Sequence, residues 1–380
     1  VQQTILPVQA RRDAPDLQCS QRPIAPRAKT SREPDPQEVP DEVDVQTQLK
    51  QFDDAASGSP LADGRLQKRP LWQAPSGQPL RVGIWGDSHL AAAFWTQEWA
   101  RLSQLPPEAV GSRFLPASMN RPGVRLPLRK SCVGPGWQYE PAHAVPSGAN
   151  EPGPGLVNLW TQAKDAWFSL DVRNAQAQPD KYQLRLLYQQ TRDPISLVIR
   201  IDGGEEQRVD LQGREGPAVL DVVGDHALST VQVRVLQGTF RLNGLELPLP
   251  AETRLQLDVF GYPGATVAGW RQVQTESMAP WWGASAYDVV VLAFGTNEGN
   301  VQPFDATAYT QSLRSSVAAW RQLFPQAACL LVAPGDRGIL VRRSQKNRSG
   351  AVQGTKPAPA KLPDLLKFTR VHAEIGRIQK

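Results

Sequence analysis
Arg81-Val82-Gly83-Ile84-Trp85-Gly86-Asp87-Ser88-His89 is the stretch on which the fold turns. Residues 81–85 read as a short strand with an apolar interior, bounded by a glycine. Gly86-Asp87-Ser88-His89 then supplies a tight turn. Residues 90–102 follow with apolar side chains at helical spacing: Leu90, Phe94, Trp95, Trp99 and Leu102. Strand, glycine-containing turn and helix together open an α/β unit.

Outward from this stretch the pattern changes twice. Over residues 153–249 the period falls to two, as in Tyr182-Gln183-Leu184-Arg185-Leu186-Leu187-Tyr188 and Thr230-Val231-Gln232-Val233-Arg234-Val235. Repeated short alternating runs without a helical pattern predict an antiparallel β-sandwich. After Pro250 the α/β character returns. Leu255-Gln256-Leu257-Asp258-Val259-Phe260 reads as a strand, residues 268–278 as a helix, and Asp288-Val289-Val290-Val291-Leu292-Ala293-Phe294 as a strand buried on both faces. Residues 305–324 carry Tyr309, Leu313, Val317, Trp320 and Phe324 on one helical stripe, and Leu330-Leu331-Val332-Ala333 reads as the next buried strand. A long polar loop with Arg337, Arg342 and Arg343 and a final amphipathic helix over 362–378 complete the pattern. The fold class expected is α/β: a doubly wound parallel sheet interrupted by an antiparallel β-sandwich. The expected division is 1–78 as a low-complexity, disordered tail, 79–152 and 250–380 as the two parts of the α/β domain, and 153–249 as the insert.

Composition sets the limits. The 380 residues suffice for two compact domains, and 40% hydrophobic content suffices for a core. The 34 prolines and 30 glycines imply much loop beside it. Residues 1–78 hold hardly an aromatic before Trp72 and bury too little to offset their ordering entropy. A formal charge of +5 favours polyanionic surroundings, but the basic residues are scattered among acids and no nucleic-acid module is present. No run of about 18 apolar residues occurs, so no transmembrane segment is expected. Residue 1 is Val, which suits a processed, exported protein. Cys19, Cys132 and Cys329 are too few and too scattered for a metal site or a disulfide scaffold, Cys329 reading as an inert strand residue. No metal and no cofactor is expected.

Ligand sites in an open parallel sheet form outside the carboxyl ends of its strands. Three strands here end in small polar turns: Gly86-Asp87-Ser88-His89, Gly261-Tyr262-Pro263-Gly264 and Gly295-Thr296-Asn297-Glu298. Ser88, at a helix start, offers a hydroxyl nucleophile whose own N–H faces a developing oxyanion. Gly264 lacks a side chain, so its N–H can approach the same oxygen. Asn297 offers a side-chain amide. Two backbone donors and one amide make an oxyanion hole. Asp87 is read as a turn-holding residue and Glu298 as a solvated or supporting one.

These three turns, in this order, resemble the first, second and third blocks of the SGNH/GDSL hydrolases, over about residues 80–150 and 251–380. A narrower resemblance is to bacterial periplasmic peptidoglycan O-acetylesterases with an inserted carbohydrate-binding β-sandwich. Pro127-Leu128-Arg129-Lys130-Ser131-Cys132-Val133-Gly134, Ala333-Pro334-Gly335-Asp336-Arg337-Gly338 and Val371-His372-Ala373-Glu374-Ile375 carry it. The resemblance implies a periplasmic or otherwise exported serine esterase that removes O-acetyl groups from a cell-wall glycan, most simply the muramic-acid 6-hydroxyl of peptidoglycan. Ser88 would be the nucleophile, with Ser88, Gly264 and Asn297 forming the oxyanion hole. A polysaccharide O-acetyltransferase with the same site, and a glycan-binding protein with a dead hydrolase domain, are the alternatives.

One block is absent. These hydrolases take their base from an Asp-x-x-His motif, which the chain lacks. Its four histidines are read as a first-block neighbour (His89), a loop residue (His143), a sandwich residue (His226) and a packed helix residue (His372). No further strand follows the last helix, so the expectation is an incomplete hydrolase domain that is nearly inactive without the missing segment.

Overall fold
The parallel sheet forms around the opening stretch. In the computed structural model, strand β2 (Leu80–Gly86) lies centrally, between β15 (Leu255–Gly261) and β16 (Val289–Ala293). The order across the sheet is β17 (Ala328–Leu331), β16, β2, β15 and β3 (Val110–Gly111), every pair parallel. The structure describes residues 2–5, 17, 19, 77–119, 121–144, 151–271, 273–282, 287–301, 303–334, 340–346, 352–359 and 362–380. Central position explains the apolar run: Val82, Ile84 and Trp85 are all buried. Trp85 anchors an aromatic cluster with Phe260, Trp270, Trp282, Tyr287 and Phe324, and its Nε1 donates to Pro154 O at 2.9 Å. At the edge, β17 is only half-buried, and so is Cys329, which was expected in a buried strand.

Helix α1 (Ser88–Ala91) and α2 (Phe94–Leu102) follow β2. The apolar stripe of α2 does not face the core as its spacing predicts. Thr96 is its one buried residue, whereas Phe94 is 71% and Leu102 62% exposed. Ala93, Thr96, Gln97 and Ala100 line the cleft toward β3 and β15 instead. The helix expected over 268–278 is two short ones, α3 (Ala268–Arg271) and α4 (Thr275–Trp282). Helix α5 (Ala306–Leu323) buries Tyr309, Leu313 and Trp320 as its stripe requires, and Asp305 caps it by accepting from Ala308 N.

Between β3 and β15 the chain builds the sandwich. One sheet contains β1 (Gln2–Ile5), β12 (Gly216–Val223), β9 (Gln183–Gln190), β14 (Phe240–Glu246), β7 (Val157–Thr161) and β6 (Gln138–Pro141), with β4 (Phe114–Pro116) paired to β14. The other runs β11 (Glu206–Leu211), β10 (Ile195–Ile201), β13 (Thr230–Gln237), β8 (Trp167–Asp171) and β5 (Lys130–Val133). Alternation does the work: Val231, Val233 and Val235 of β13 share one core with Leu184, Leu186 and Tyr188 of β9, while Gln232 and Arg234 between the valines stay half-exposed and Leu187 of β9 is buried in the second core. Each such buried aliphatic contributes about 1.5–3 kcal/mol.

Three expectations change here. The sandwich draws on β4, β5 and β6, which lie before residue 153. Residues 1–78 are not wholly a tail, because Gln2–Ile5 adds a parallel strand beside β12. Cys19 and Cys132 form a disulfide across 113 residues of sequence, contrary to the reading of scattered, unpaired thiols. Spacing could not reveal it, since the pairing depends on how β5 lies in the folded sheet. Most of the remaining tail, and Arg337, fall outside the described residues.

The chain divides into two units, and everything above belongs to the first. The second comprises Ser20–Gln73 and Arg337–Lys367. In place of the long polar loop expected there, β18 (Leu340–Lys346) and β19 (Val352–Pro359) form an antiparallel ribbon. Helix α6 (Leu362–Gln379) is part of the first unit from Phe368 onward.

Candidate active site
All three polar turns leave adjacent strands at the same edge of the parallel sheet. Gly86 at the end of β2 is paired with Gly261 of β15 and Ala293 of β16. Asp87 N donates to Ala293 O at 3.3 Å and Tyr262 N to Gly86 O at 3.3 Å, so the turns are stitched together where they begin. Gly261 is needed for this closeness. A Cβ there would lie 2.4 Å from Leu90 Cβ and 2.8 Å from Ala91 N of α1.

In the first turn Asp87 is buried and caps α1. Its Oδ1 accepts from His89 N at 3.0 Å and lies 2.9 Å from His89 Nδ1. Asp87 thus holds the turn, as expected, and orients the imidazole as well. Ser88, between them, is exposed. Thr296 Oγ1 reaches His89 Nδ1 at 3.4 Å and ties the first turn to the third.

Gly264 in the second turn has φ +83°, a backbone conformation that disfavours side chains. A Cβ there would meet no atom within 4 Å. The side-chain side of Gly264 therefore faces open space. The backbone just past it is gripped at two points. Asn297 Nδ2 donates to Ala265 O at 2.7 Å. Glu298 Oε1 accepts from Val267 N at 2.9 Å, and Ser316 of α5 donates to Val267 O at 2.8 Å.

Of the two readings of Glu298, solvated or supporting, the structure gives the supporting one. Burial pushes its carboxyl above the usual range, and the nearby Asp87 carboxylate adds to this. Its Oε2 is buried with no hydrogen-bond partner. Adjacent residues of one turn thus fix two points of another. Sequence gave no sign of the Glu298 clamp, and the sole hint of Ser316 was a polar residue on the inner side of an amphipathic helix.

The last helix braces the third turn from behind. Ile375 is fully buried, Gln379 Nε2 donates to Phe294 O at 3.1 Å, and a Cβ on Gly299 would lie 3.0 Å from the His372 ring. His372 is packed there, as expected. His226 pairs with Asp225 in the sandwich. His143 is half-buried, and burial, reinforced by Arg121, lowers its pKa. His89 is the histidine that adjoins Ser88 in the chain and carries a carboxylate on Nδ1. No group of acidic, histidine and cysteine side chains suited to a metal occurs among the described residues.

Comparison with solved structures gives one close enough in shape to carry weight, titled "Peptidoglycan O-acetylesterase in action". It superposes with a TM-score of 0.54 at 19% identity, over 80% of this chain and 76% of that one. The chain shares the fold of that esterase. A family two carbohydrate esterase from Cellvibrio japonicus (TM-score 0.20, 12% identity, 53% of this chain and 77% of that one) adds nothing to the assignment at that score. The same holds for the C-terminal CBM6 of a marine laminarinase from Zobellia galactanivorans (TM-score 0.23, 12% identity, 35% and 96%). No family model and no curated protein matches the chain.

Proposed function
We propose that the protein is a serine esterase that removes O-acetyl groups from a cell-wall glycan, with peptidoglycan as the substrate. The observation that carries this reading is the junction of the three turns: Asn297 and Glu298 clamp the backbone at Ala265 and Val267, just past Gly264, and the adjoining first turn carries the exposed Ser88. The fold shared with a peptidoglycan O-acetylesterase supports the choice of substrate.

In the proposed reaction Ser88 Oγ attacks the acetyl carbonyl, and the N–H groups of Ser88 and Gly264 with the Asn297 amide hold the oxyanion. The glycan hydroxyl leaves with a proton, and water then releases acetate from acetyl-Ser88. A hydroxyl needs a base within hydrogen-bond reach for this. The Asp-x-x-His pair of the resembling hydrolases is not in these 380 residues. The Asp87-oriented His89 is the imidazole next to the serine in the chain. The Cys19–Cys132 bridge favours an oxidising, exported location. No helix among the described residues is long and apolar enough to cross a membrane.

A fluorophosphonate probe with peptide mapping tests the nucleophile. In the chain supplied with an Asp-x-x-His segment, Ser88 is expected to carry the label, and acetate release from O-acetylated peptidoglycan to fall to background in Ser88→Ala. A label on another serine, or undiminished release by the variant, refutes the assignment.

A further inference from the structure
The loop that enters the sandwich passes beside both halves of the proposed site. Arg125 N donates to Ala91 O at 2.7 Å, at the end of the α1 turn. Gly123, at φ +82°, backs onto the second turn: a Cβ there would lie 3.3 Å from Pro263 Cγ, next to Gly264. The residues between Ser118 and Arg125 are further held by turn bonds from Arg121 N to Ser118 O and from Val124 N to Arg121 O, both 3.1 Å. Arg121 therefore sits in a loop pinned to the α1 turn by Arg125 and to the second turn by Gly123.

Its side chain has no job in the fold that needs a charge. The guanidinium lies over the Tyr139 ring, 4.4 Å from the centroid, and remains exposed. Among the described residues it forms no ion pair. Glu140, the acidic residue beside Tyr139 in β6, is committed to Arg241 at 2.9 Å. The titratable groups that feel Arg121 are Tyr139 and His143, and neither is an acid that could neutralise it. A guanidinium stacked on an aromatic face keeps its N–H edge free for a carboxylate, and the ring restricts its motion beforehand.

We propose that Arg121 is a specificity-determining residue that binds a carboxylate carried by the glycan substrate, making the site one for acidic rather than neutral acetylated sugars. This rests on the esterase reading of Ser88. A planar guanidinium pairs with a carboxylate through two parallel hydrogen bonds and so also fixes the orientation of the sugar. His143 borders the small internal cavity behind the second turn together with Gly86, Ala265 and Thr266.

The test compares an O-acetylated glycan bearing free carboxylates with the same glycan after its carboxyls are amidated. For the wild-type chain the specificity constant should be higher on the acidic form. Arg121→Ala should lower the acidic-to-amidated ratio about tenfold, mainly through KM, and Arg121→Lys, which keeps the charge and loses the fork, should fall between. Direct titration of Ser88→Ala with the carboxylated glycan should show the same tenfold weakening when Arg121→Ala is added. Equal losses on both glycans, or an unchanged ratio together with unchanged binding, would overturn the proposal. Binding that depends on Arg121 in a protein that releases no acetate even when supplied with an Asp-x-x-His segment would uphold the subsite and refute the esterase reading, so the two fail separately.

Discussion
At the scale of residues, Asn297 already has one amide hydrogen on Ala265 O, which leaves the second for an oxyanion. Asn297→Ala should therefore lower kcat about 10²–10³-fold, with a melting temperature close to wild type. A loss below about threefold would remove Asn297 from the site. Glu298 behaves differently because its folded pKa is raised by burial and by Asp87. A carboxyl raised in the folded state adds stability that is full below its unfolded pKa and is lost as pH rises through the folded value. Glu298→Gln cannot ionise, so its melting temperature should gain on wild type as pH rises through and above the ordinary glutamate range. Melting curves of both proteins across that range check the sign, and a constant difference would count against it. The three polar turns that hold Ser88, Gly264 and Asn297 were legible because each directly follows an apolar strand. The Glu298 clamp was not, since Val267 is 31 residues away and only the folded sheet brings the two together.

At the scale of elements, β15 is fastened to the chain entering the sandwich by one buried carboxylate. Asp258 accepts from Ser112 Oγ, Arg113 N and Phe114 N through Oδ1, and from Gln256 Nε2 and Tyr287 Oη through Oδ2, at 2.6–3.1 Å. Burial raises its pKa, against the pull of these donors. Asp258→Ala would leave the Arg113 and Phe114 amides without their acceptor, and should cost about 2–4 kcal/mol of unfolding free energy. Urea titration measures this, and a shift below about 1 kcal/mol would show that water replaces the carboxylate without loss. Strand β13 was legible because period-two alternation directly encodes which face is buried. Helix α2 was misread for the converse reason. A helical stripe marks one face as apolar but does not say where that face points, and here small Ala93, Thr96 and Ala100 turn to the cleft toward β3 and β15 while Trp95 stays 39% exposed.

At the scale of the whole molecule, the switch from α/β to period-two patterning located the insert in the sequence, but the edges of the sandwich come from elsewhere. A fragment of residues 153–249 retains β7 to β14 and is expected to fold, while exposing the strand edges that β5, β6 and β1 cover in the intact protein. A fragment of residues 112–249 restores β4, β5 and β6, and should melt higher. Open edges pair with other chains, so the shorter fragment should self-associate in sedimentation velocity and the longer one much less. Equal melting temperatures and equal association would show that these strands are ornamental. The sandwich leaves the parallel sheet after β3 and re-enters it at β15, and Leu255 of β15 lies beside Val110 of β3. That geometry resembles a clean insertion, yet β12 also holds Gln2–Ile5 and Cys132 holds Cys19. A recombination event that exchanged only the codons for 112–254 would strand an upstream β segment and orphan a cysteine encoded 113 codons before its partner. The sandwich and the start of the chain are thus a single heritable unit split across the gene, and a viable swap must carry both pieces.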